Sequence, residues 1–257
     1  EKVCIYPDDD PLEDGYQVMP VQGANKTILK CVIVNDSNGI GDIINVTIEK
    51  YYPDGTLKDV QELHVATEEE RIQCAGFNCS IEDYSPETSE LFVGYQNMTD
   101  YDPSGIYNLT VEITNQGAVA SRFENISSFE YLELIGIEIE PASIQFEDLI
   151  PGDSAWIYGN DNWGDSLPTV RNTGNVPIDL DVSATNLTSG SNVIPVESLD
   201  INISGQYLPH LDLVSQRLYV NIDPFGGTGF IDYGIHVPEG TNPGSYFGDI
   251  TIAAQKA

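Results

Sequence analysis

Half of the chain's asparagines stand in Asn-X-Ser/Thr triplets, the acceptor sequence for N-linked glycans. With Ser and Thr at ordinary frequencies, roughly one asparagine in seven would meet the pattern by chance, or about three here. The sequence instead has nine among its 18 asparagines. They are Asn25, Asn35, Asn45, Asn78, Asn97, Asn108, Asn125, Asn186 and Asn202. This excess predicts an exported protein that carries N-linked glycans.

Three of these asparagines lie in runs where apolar and polar residues alternate, as in a half-buried strand. The runs surround Asn45, Asn108 and Asn202, and in each the asparagine falls between the apolar positions. Because a glycan is bulky, it needs the outward side of a strand, and the alternation predicts that all three side chains point to solvent.

The four cysteines, Cys4, Cys31, Cys74 and Cys79, make an even count, as expected for a disulfide framework. Zinc is disfavoured because no histidine cluster lies near them and the gap from Cys74 to Cys79 is wide for a metal pair. Spacing alone favours Cys74–Cys79 as a local bridge and Cys4–Cys31 as a longer one. All three connectivities of four cysteines stay open at this point.

Two acidic loops have oxygen ligands of the kind that calcium prefers. The first contains Asp8, Asp10 and Asp14, and these three are the predicted metal ligands, with calcium as the candidate cofactor. The second runs over residues 160–165 as Asn-Asp-Asn-Trp-Gly-Asp. Neither has the full EF-hand spacing, and the alternative for both is a solvated acidic loop in an acidic protein.

Aromatic residues concentrate near the second acidic loop, at Trp156, Tyr158 and Trp163. Such a group can form a platform on which a sugar ring stacks. The alternative is that the tryptophans cap the core of a small β-sandwich.

Catalytic motifs are absent from the sequence. His64, His210 and His236 lie far apart along the chain, and there is no Gly-X-Ser-X-Gly or phosphate-binding loop. Acidic residues are so abundant that pairs of them identify no catalytic dyad. We therefore predict no enzymatic activity and no catalytic residues.

Charge narrows the choice of partners. Ten Lys and Arg face 41 Asp and Glu, which gives a formal net charge of −31. A surface this negative repels phosphate backbones, so nucleic acid is excluded as a partner. No apolar stretch of about 18 residues occurs, so the sequence predicts no membrane span.

Apolar residues recur with period two along nearly the whole chain, which predicts an all-β fold. Strand-like runs are separated by Gly, Pro and Asn turns at intervals typical of β-sandwiches. The alternation changes phase near Gly136, shortly before Pro141. We therefore predict two consecutive immunoglobulin-like β-sandwich domains, at residues 1–133 and 134–257. The first would begin with an extended N-terminal arm.

A family resemblance is visible in the second half. It contains Val-Arg-Asn-Thr-Gly-Asn at 170–175 and ends with Val-Pro-Glu-Gly-Thr-Asn-Pro-Gly-Ser-Tyr at 237–246 and Phe-Gly-Asp-Ile-Thr-Ile-Ala at 247–253. These segments resemble the immunoglobulin-like modules of archaeal secreted and surface-layer proteins. The resemblance covers residues 134–257, with a looser one around 102–111. It implies a building block of a surface layer or filament and no catalytic residue.

Together these observations predict a structural subunit of an extracellular, glycosylated assembly, such as a filament, a pilus-like fibre or a surface layer. The partner would be a second copy of the chain, joined by strand addition through residues 1–24. The alternative is that residues 1–24 pair only within their own domain. The alternative function is a cell-surface adhesin or carbohydrate-binding module that uses Trp156 and Trp163.

Overall fold

A computed structural model describes residues 2–82, 84–116 and 125–257, with the side chains of Asn125 and Ile126 outside that description. The chain divides into two compact units, Glu1–Glu133 and Leu134–Ala257. Across the described part, no helix is long and apolar enough to cross a membrane.

The described residues of the first unit form two β-sheets and one α-helix. Its strands are β1 (Lys2–Tyr6), β2 (Gln17–Val18), β3 (Asn25–Asn35), β4 (Ile43–Tyr51), β5 (Leu57–Glu62), β6 (His64–Val65), β7 (Ser89–Thr99), β8 (Gly105–Asn115) and β9 (Asn125–Tyr131). One sheet has the order β1-β3-β7-β6 and the other β2-β9-β8-β4-β5. The pairings are antiparallel except that of β2 with β9. A 3₁₀ turn, Ile40–Asp42, precedes β4.

The two sheets of the first unit enclose one apolar core. On β3, Ile28, Val32 and Val34 face this core, and Val46 and Ile48 of β4 meet them from the opposite sheet. Side chains alternate between the faces of a strand, so Leu29, Cys31 and Ile33 of β3 face away from this core. They are nevertheless buried, because a second apolar cluster covers the outer face of the β1-β3-β7-β6 sheet.

The segment between β6 and β7 forms this cover. It contains α1 (Glu68–Ala75), whose first turn consists of glutamates. Thr67 and Glu70 cap its N-terminus reciprocally, each side chain bonding the other's backbone N–H. The segment brings Cys74, within α1, and Cys79, shortly after it, over the sheet, where both are fully buried.

The disulfides join this segment to the sheet, as Cys4–Cys79 and Cys31–Cys74. All four cysteines are bridged as predicted, but the favoured pairing, Cys74–Cys79 with Cys4–Cys31, is wrong. Cys4 and Cys31 are register partners on neighbouring strands and project from the same face. Each therefore meets a cysteine of the covering segment, an arrangement that spacing along the chain does not reveal.

The N-terminal segment pairs with its own unit. Strand β1 runs antiparallel to β3 over its whole length, and β2 runs parallel to the end of β9. The acidic loop between them is bonded back to the chain, because Asp9 Oδ2 accepts from the Met19 N–H at 2.7 Å. Of the two predicted arrangements for residues 1–24, the structure has local pairing rather than a free arm.

Two lysines point into the core of the first unit. Lys30 and Lys50 are 1% and 0% exposed. The Lys30 ammonium donates to Gln96 Oε1 at 3.0 Å, and the Lys50 ammonium lies 3.6 Å from Asp59 Oδ2. Burial lowers the pKa of Lys50 to about 7 and that of Lys30 to about 8, although the Asp59 carboxylate opposes the shift in both.

The second unit is also built from β-sheets. Its strands are β10 (Ile137–Glu140), β11 (Ser154–Ile157), β12 (Thr169–Asn172), β13 (Ile178–Ala184), β14 (Leu187–Ser189), β15 (Asn192–Ile194), β16 (Leu199–Ile203), β17 (Gln206–Leu208), β18 (Gln216–Ile222), β19 (Thr228–His236) and β20 (Ile250–Lys256). One sheet has the order β10-β12-β19-β16-β17, with β11 also paired to β19. The opposite sheet has the order β18-β13-β20, and β14 with β15 forms a hairpin. A 3₁₀ turn, Val196–Ser198, leads into β16.

A single apolar core fills the space between the two larger sheets of this unit. Leu180 and Val182 of β13 enter it from one side, and Ile201 of β16 with Ile231 and Ile235 of β19 enter from the other. The predicted fold class, all-β with two consecutive β-sandwiches, is confirmed. Both units follow the period-two pattern, because each strand buries one face against a facing sheet.

Candidate ligand-binding face of the second unit

The outer face of the β11-β19-β16-β17 strands carries polar and aromatic side chains. On β19 the core residues alternate with Asp232, Gly234 and His236, and on β16 they alternate with Asp200 and Asn202. The alternation of strand side chains puts these residues together on the outward face. Register aligns Trp156 with Gly234 across β11 and β19, and Tyr207 with Asn202 across β17 and β16.

Three aromatic rings form the surface of this face. The Trp156 and Tyr158 rings are near-parallel, at 18° with centroids 6.3 Å apart, and the Tyr207 ring lies 6.1 Å from Trp156. Tyr158 is 66% and Tyr207 54% exposed, while Trp156 is half-buried. We call Trp156, Tyr158 and Tyr207, with Asp200, Asp232 and His236 beside them, the aromatic face.

Gly234 allows the indole of Trp156 to lie against the sheet. A Cβ at this position would be 2.8 Å from the ring atoms of Trp156, closer than van der Waals contact allows. The glycine therefore lets one side of the indole rest on the backbone of β19, so that the ring has a fixed position.

Hydrogen bonds fix the polar side chains beside the rings. Asp200 is 2% exposed and accepts from Tyr207 Oη at 2.7 Å and from the His210 N–H at 2.9 Å. His236 Nε2 lies 2.8 Å from the same carboxylate, and its Nδ1 lies 2.7 Å from Ser154 Oγ. Burial by itself raises the pKa of Asp200, but the bonds from His210, Tyr207 and His236 outweigh it and hold the pKa below its usual value.

Asp232 is held in the same way. Its Oδ1 accepts from the Gly159 N–H at 3.0 Å, and its Oδ2 accepts from Asn202 Nδ2 at 2.9 Å. The bond to Gly159 fixes the chain directly after Tyr158, so the aromatic ring at 158 is attached to a restrained backbone. The arrangement provides flat aromatic rings beside two ordered carboxylates.

Ser154, His236 and Asp200 have the residue types of a hydrolase triad, but the two ring nitrogens of His236 face the opposite partners. In that mechanism the histidine presents Nε2 to the serine and Nδ1 to the carboxylate. Here Nδ1 faces Ser154 and Nε2 faces Asp200. Asp200 also orients Tyr207, so the chain of bonds serves to fix the aromatic face.

Sequence reasoning identified part of this face. It grouped Trp156 and Tyr158 with Trp163. The Trp163 ring instead contacts the Arg171 guanidinium, whose Cζ lies 4.4 Å from the centroid of the ring. Sequence reasoning missed Tyr207 and dismissed His236 because both are distant in sequence. Polar residues at alternate positions of the apolar strands β16 and β19 were the sequence signal that could have indicated this face.

Comparison with known proteins gives no family. No family model matches the chain, and no curated protein matches it. Similar solved structures include a chaperone–tip adhesin complex of CFA/I fimbriae biogenesis (9% identity, 94% of this chain and 95% of that one, TM-score 0.36). A second is the CsuC–CsuE chaperone–tip adhesion subunit complex of Acinetobacter baumannii (10% identity, 93% of this chain and 96% of that one, TM-score 0.34). A third is CfaE, the adhesive subunit of the CFA/I fimbria of enterotoxigenic Escherichia coli (8% identity, 88% of this chain and 81% of that one, TM-score 0.36). At these TM-scores the similarities carry no argument about function.

The predicted calcium ligands do not converge. Among the described residues, no group of three His, Cys, Asp or Glu is placed to hold a metal ion. Asp8 Oδ1 accepts from the Gln17 N–H at 3.2 Å, and Asp10 Oδ1 accepts from the Leu12 N–H at 3.3 Å. In the second loop, Asn160 Nδ2 donates to Asp165 Oδ2 at 2.6 Å. These oxygens stabilise turns, and the structure does not group Asp8, Asp10 and Asp14 as a calcium site.

The sequon asparagines differ in exposure. Those with exposed side chains are Asn25, Asn35, Asn78, Asn97, Asn108 and Asn186. Asn45 and Asn202 are half-buried, and the Oδ1 of each is inaccessible. The amide nitrogen of Asn202, the atom that would carry the sugar, donates to Asp232. The side chain of Asn125 lies outside the described residues.

We expect glycan occupancy to follow this difference. Asn45 and Asn108 provide a matched pair, because they lie on the neighbouring strands β4 and β8 and both have Thr at the third sequon position. Since Asn45 is half-buried with its Oδ1 inaccessible, whereas Asn108 is exposed, we expect its occupancy to be about fivefold lower than that of Asn108. Site-resolved mass spectrometry of glycopeptides from the native protein measures the ratio. Equal occupancy would show that burial in the folded state does not limit the modification.

Proposed function

We propose that this chain is an extracellular adhesive protein whose second unit binds a glycan on the aromatic face. The observation that carries the proposal is the outward group of Trp156, Tyr158 and Tyr207, held over Gly234 and beside two hydrogen-bonded carboxylates. Singly exposed rings are ordinary on a protein surface, whereas rings grouped on one outward face are typical of an interaction site.

Sugar binding explains the chemistry of this face. The C–H faces of a pyranose pack against flat aromatic rings, while hydroxyl groups at the rim find polar partners. The near-parallel Trp156 and Tyr158 rings offer a flat surface, and the Ser154–His236 pair lies at one border. Because the rings and carboxylates are ordered by the fold, a ligand would lose little affinity to side-chain ordering.

The distribution of sequons supports different roles for the two units, glycan attachment in the first and ligand binding in the second. Seven of the nine lie within residues 1–133, whereas the second unit has only Asn186 and Asn202. Asn202, on the aromatic face itself, is half-buried. The first unit would then be the glycan-covered part, and the second would keep its binding face uncovered. Disulfides and sequons together support an extracellular location.

Assembly into a filament or surface layer stays a prediction. Strand addition through residues 1–24 would require β1 to separate from β3. The Cys4–Cys79 bridge opposes this separation, because it also links β1 to the covering segment. The aromatic face is the more specific feature, because it supplies residues that can be tested one at a time.

The proposed function predicts selective loss of glycan binding on removal of the central ring. The unglycosylated protein, produced in bacteria with its disulfides formed, is screened on a glycan array, and the dissociation constant for the best ligand is measured by calorimetry. We expect Trp156→Ala to weaken binding by at least about 30-fold, equivalent to about 2 kcal/mol for a central contact residue.

Trp163→Ala is the matched control, because it removes the chain's other tryptophan from a site where the ring contacts Arg171. We expect it to change the dissociation constant by less than about threefold. Gly234→Val provides a second test, since the added side chain must displace the indole. Retention of full affinity in Trp156→Ala, or absence of any glycan ligand, would falsify the proposed function.

A further inference from the structure

The aromatic face contains no Lys or Arg side chain. Strands β11, β16, β17 and β19 have no Lys or Arg among their residues. The whole second unit has three, Arg171, Arg217 and Lys256, against 16 acidic residues. Arg171 pairs with Glu138, and Arg217 pairs with Asp179 at 3.2 Å. Arginine forks and lysines are the usual partners of carboxylate and sulfate groups, and this face offers neither.

Negative charge is instead fixed beside the rings. Asp200 and Asp232 are 2% and 9% exposed, so water screens them less than it screens surface acids. Hydrogen bonds hold both carboxylates in place, and the lowered pKa of Asp200 keeps that group ionised at neutral pH. The rings beside them present electron-rich faces that attract an ammonium group.

We propose that the aromatic face selects glycans by charge: amino sugars bind more tightly than neutral sugars, and acidic sugars are excluded. This inference rests on the proposed function and specifies its ligand class. The carboxylates act through their field on a sugar stacked over the rings, since their own oxygens are already bonded to Tyr207, His210, Gly159 and Asn202.

A series of hexasaccharides with one linkage separates charge from shape. The probes are β-1,4-linked and carry at C2 a hydroxyl, an acetamido or an ammonium group, or at C6 a carboxylate. Binding to the unglycosylated protein is measured by calorimetry at low and high salt. We expect the ammonium form to bind about tenfold more tightly than the hydroxyl form at low salt and to keep part of this advantage at high salt, because salt screens buried charges less than surface charges. The carboxylate form should show no binding.

Two substitutions distinguish local charge from the net charge of the protein. Asp232→Asn removes one charge from the aromatic face, and we expect it to lower the preference for the ammonium form about threefold. Asp181→Asn removes the same formal charge from β13, in the opposite sheet, and should leave the preference unchanged. Asp200→Asn is the second variant of the face if Asp232→Asn does not fold, as judged by circular dichroism.

The outcomes separate this inference from the proposed function. If the carboxylate form binds as well as the hydroxyl form, selection by charge is wrong while glycan binding stands. If Trp156→Ala keeps the ammonium preference, or Asp181→Asn lowers it as much as Asp232→Asn, the preference comes from the overall charge and the inference is overturned. If no member of the series binds, the same comparison is made with amino, neutral and acidic forms of the array ligand. If the array has none, the proposed function itself fails.

Discussion

Replacing Cys31 and Cys74 together by alanine should lower the free energy of unfolding of the first unit by about 4 kcal/mol. The bridge joins residues 43 positions apart, so it restricts a long loop in the unfolded chain. Without the bridge the unfolded chain has a higher conformational entropy, which favours unfolding. The covering segment from α1 onward would also lose its attachment to β3. For a unit of this size the change corresponds to a fall in Tm of roughly 10–15 °C.

The two tryptophans make the measurement selective. Trp156 and Trp163 are the chain's only tryptophans and both lie in the second unit, so their fluorescence follows that unit alone. Calorimetry follows both units. We expect the calorimetric transition of the first unit to move and the tryptophan transition to stay in place. In the unmodified protein, no cysteine should react with iodoacetamide before reduction.

The Cys4→Ala, Cys79→Ala pair is the matched comparison, because its bridge spans 75 positions and anchors the same segment to the neighbouring strand. We expect a similar loss, and less than the sum of both when all four are replaced, since each bridge restrains the same segment. A loss below about 1 kcal/mol for both pairs would contradict the described connectivity.

Raising the pH from 7 to 9.5 should increase the free energy of unfolding of the first unit by about 3 kcal/mol through Lys50 alone. In the folded protein burial lowers the pKa of Lys50 to about 7, while the unfolded chain has the ordinary lysine value. As the pH falls from about 10 towards 7, the unfolded chain binds a proton that the folded protein does not, so stability is lost. Below pH 7 both states are protonated and the loss is complete.

Other groups leave this pH window largely clear. The cysteines are bridged and therefore do not titrate. Burial raises the pKa of Tyr107 and Tyr131, so that unfolding becomes easier once the exposed tyrosines of the unfolded chain ionise above about pH 10. Lys30 adds to the gain in the same direction as Lys50, because its pKa is also lowered by burial.

Lys50→Met tests the assignment, since it keeps an unbranched chain of similar size and removes the ammonium group. We expect the variant to be more stable than the parent at pH 7 by about 1–3 kcal/mol and to show a flatter dependence on pH. Lys26→Met is the control, because Lys26 pairs with Asp9 near the surface, 2.8 Å away. It should leave the slope unchanged. A parent protein whose stability does not rise between pH 7 and 9.5 would rule out a buried, weakly basic Lys50.

The comparison of sequence and structure has a simple physical basis. The period-two pattern predicted the all-β fold because each strand buries one face, and this holds from Ile28 and Val32 in the first unit to Ile231 and Ile235 in the second. The even cysteine count predicted that every cysteine is bridged. Such signals are local or compositional, so one sequence suffices to read them.

Pairings between distant segments were decided by the tertiary structure. Cys4 and Cys31 bond to Cys79 and Cys74 because strand register puts the first two on one face and the covering segment packs on that face. Likewise, Tyr207, Asp200 and His236 meet Trp156 only because β11 and β16 flank β19 and β17 pairs with β16. Lys30 and Lys50 stand at inward positions where alternation alone predicts apolar residues, and the surrounding core sets their pKa. By itself the sequence determined which residues alternate and which cysteines are oxidised; register and sheet order determined which side chains meet.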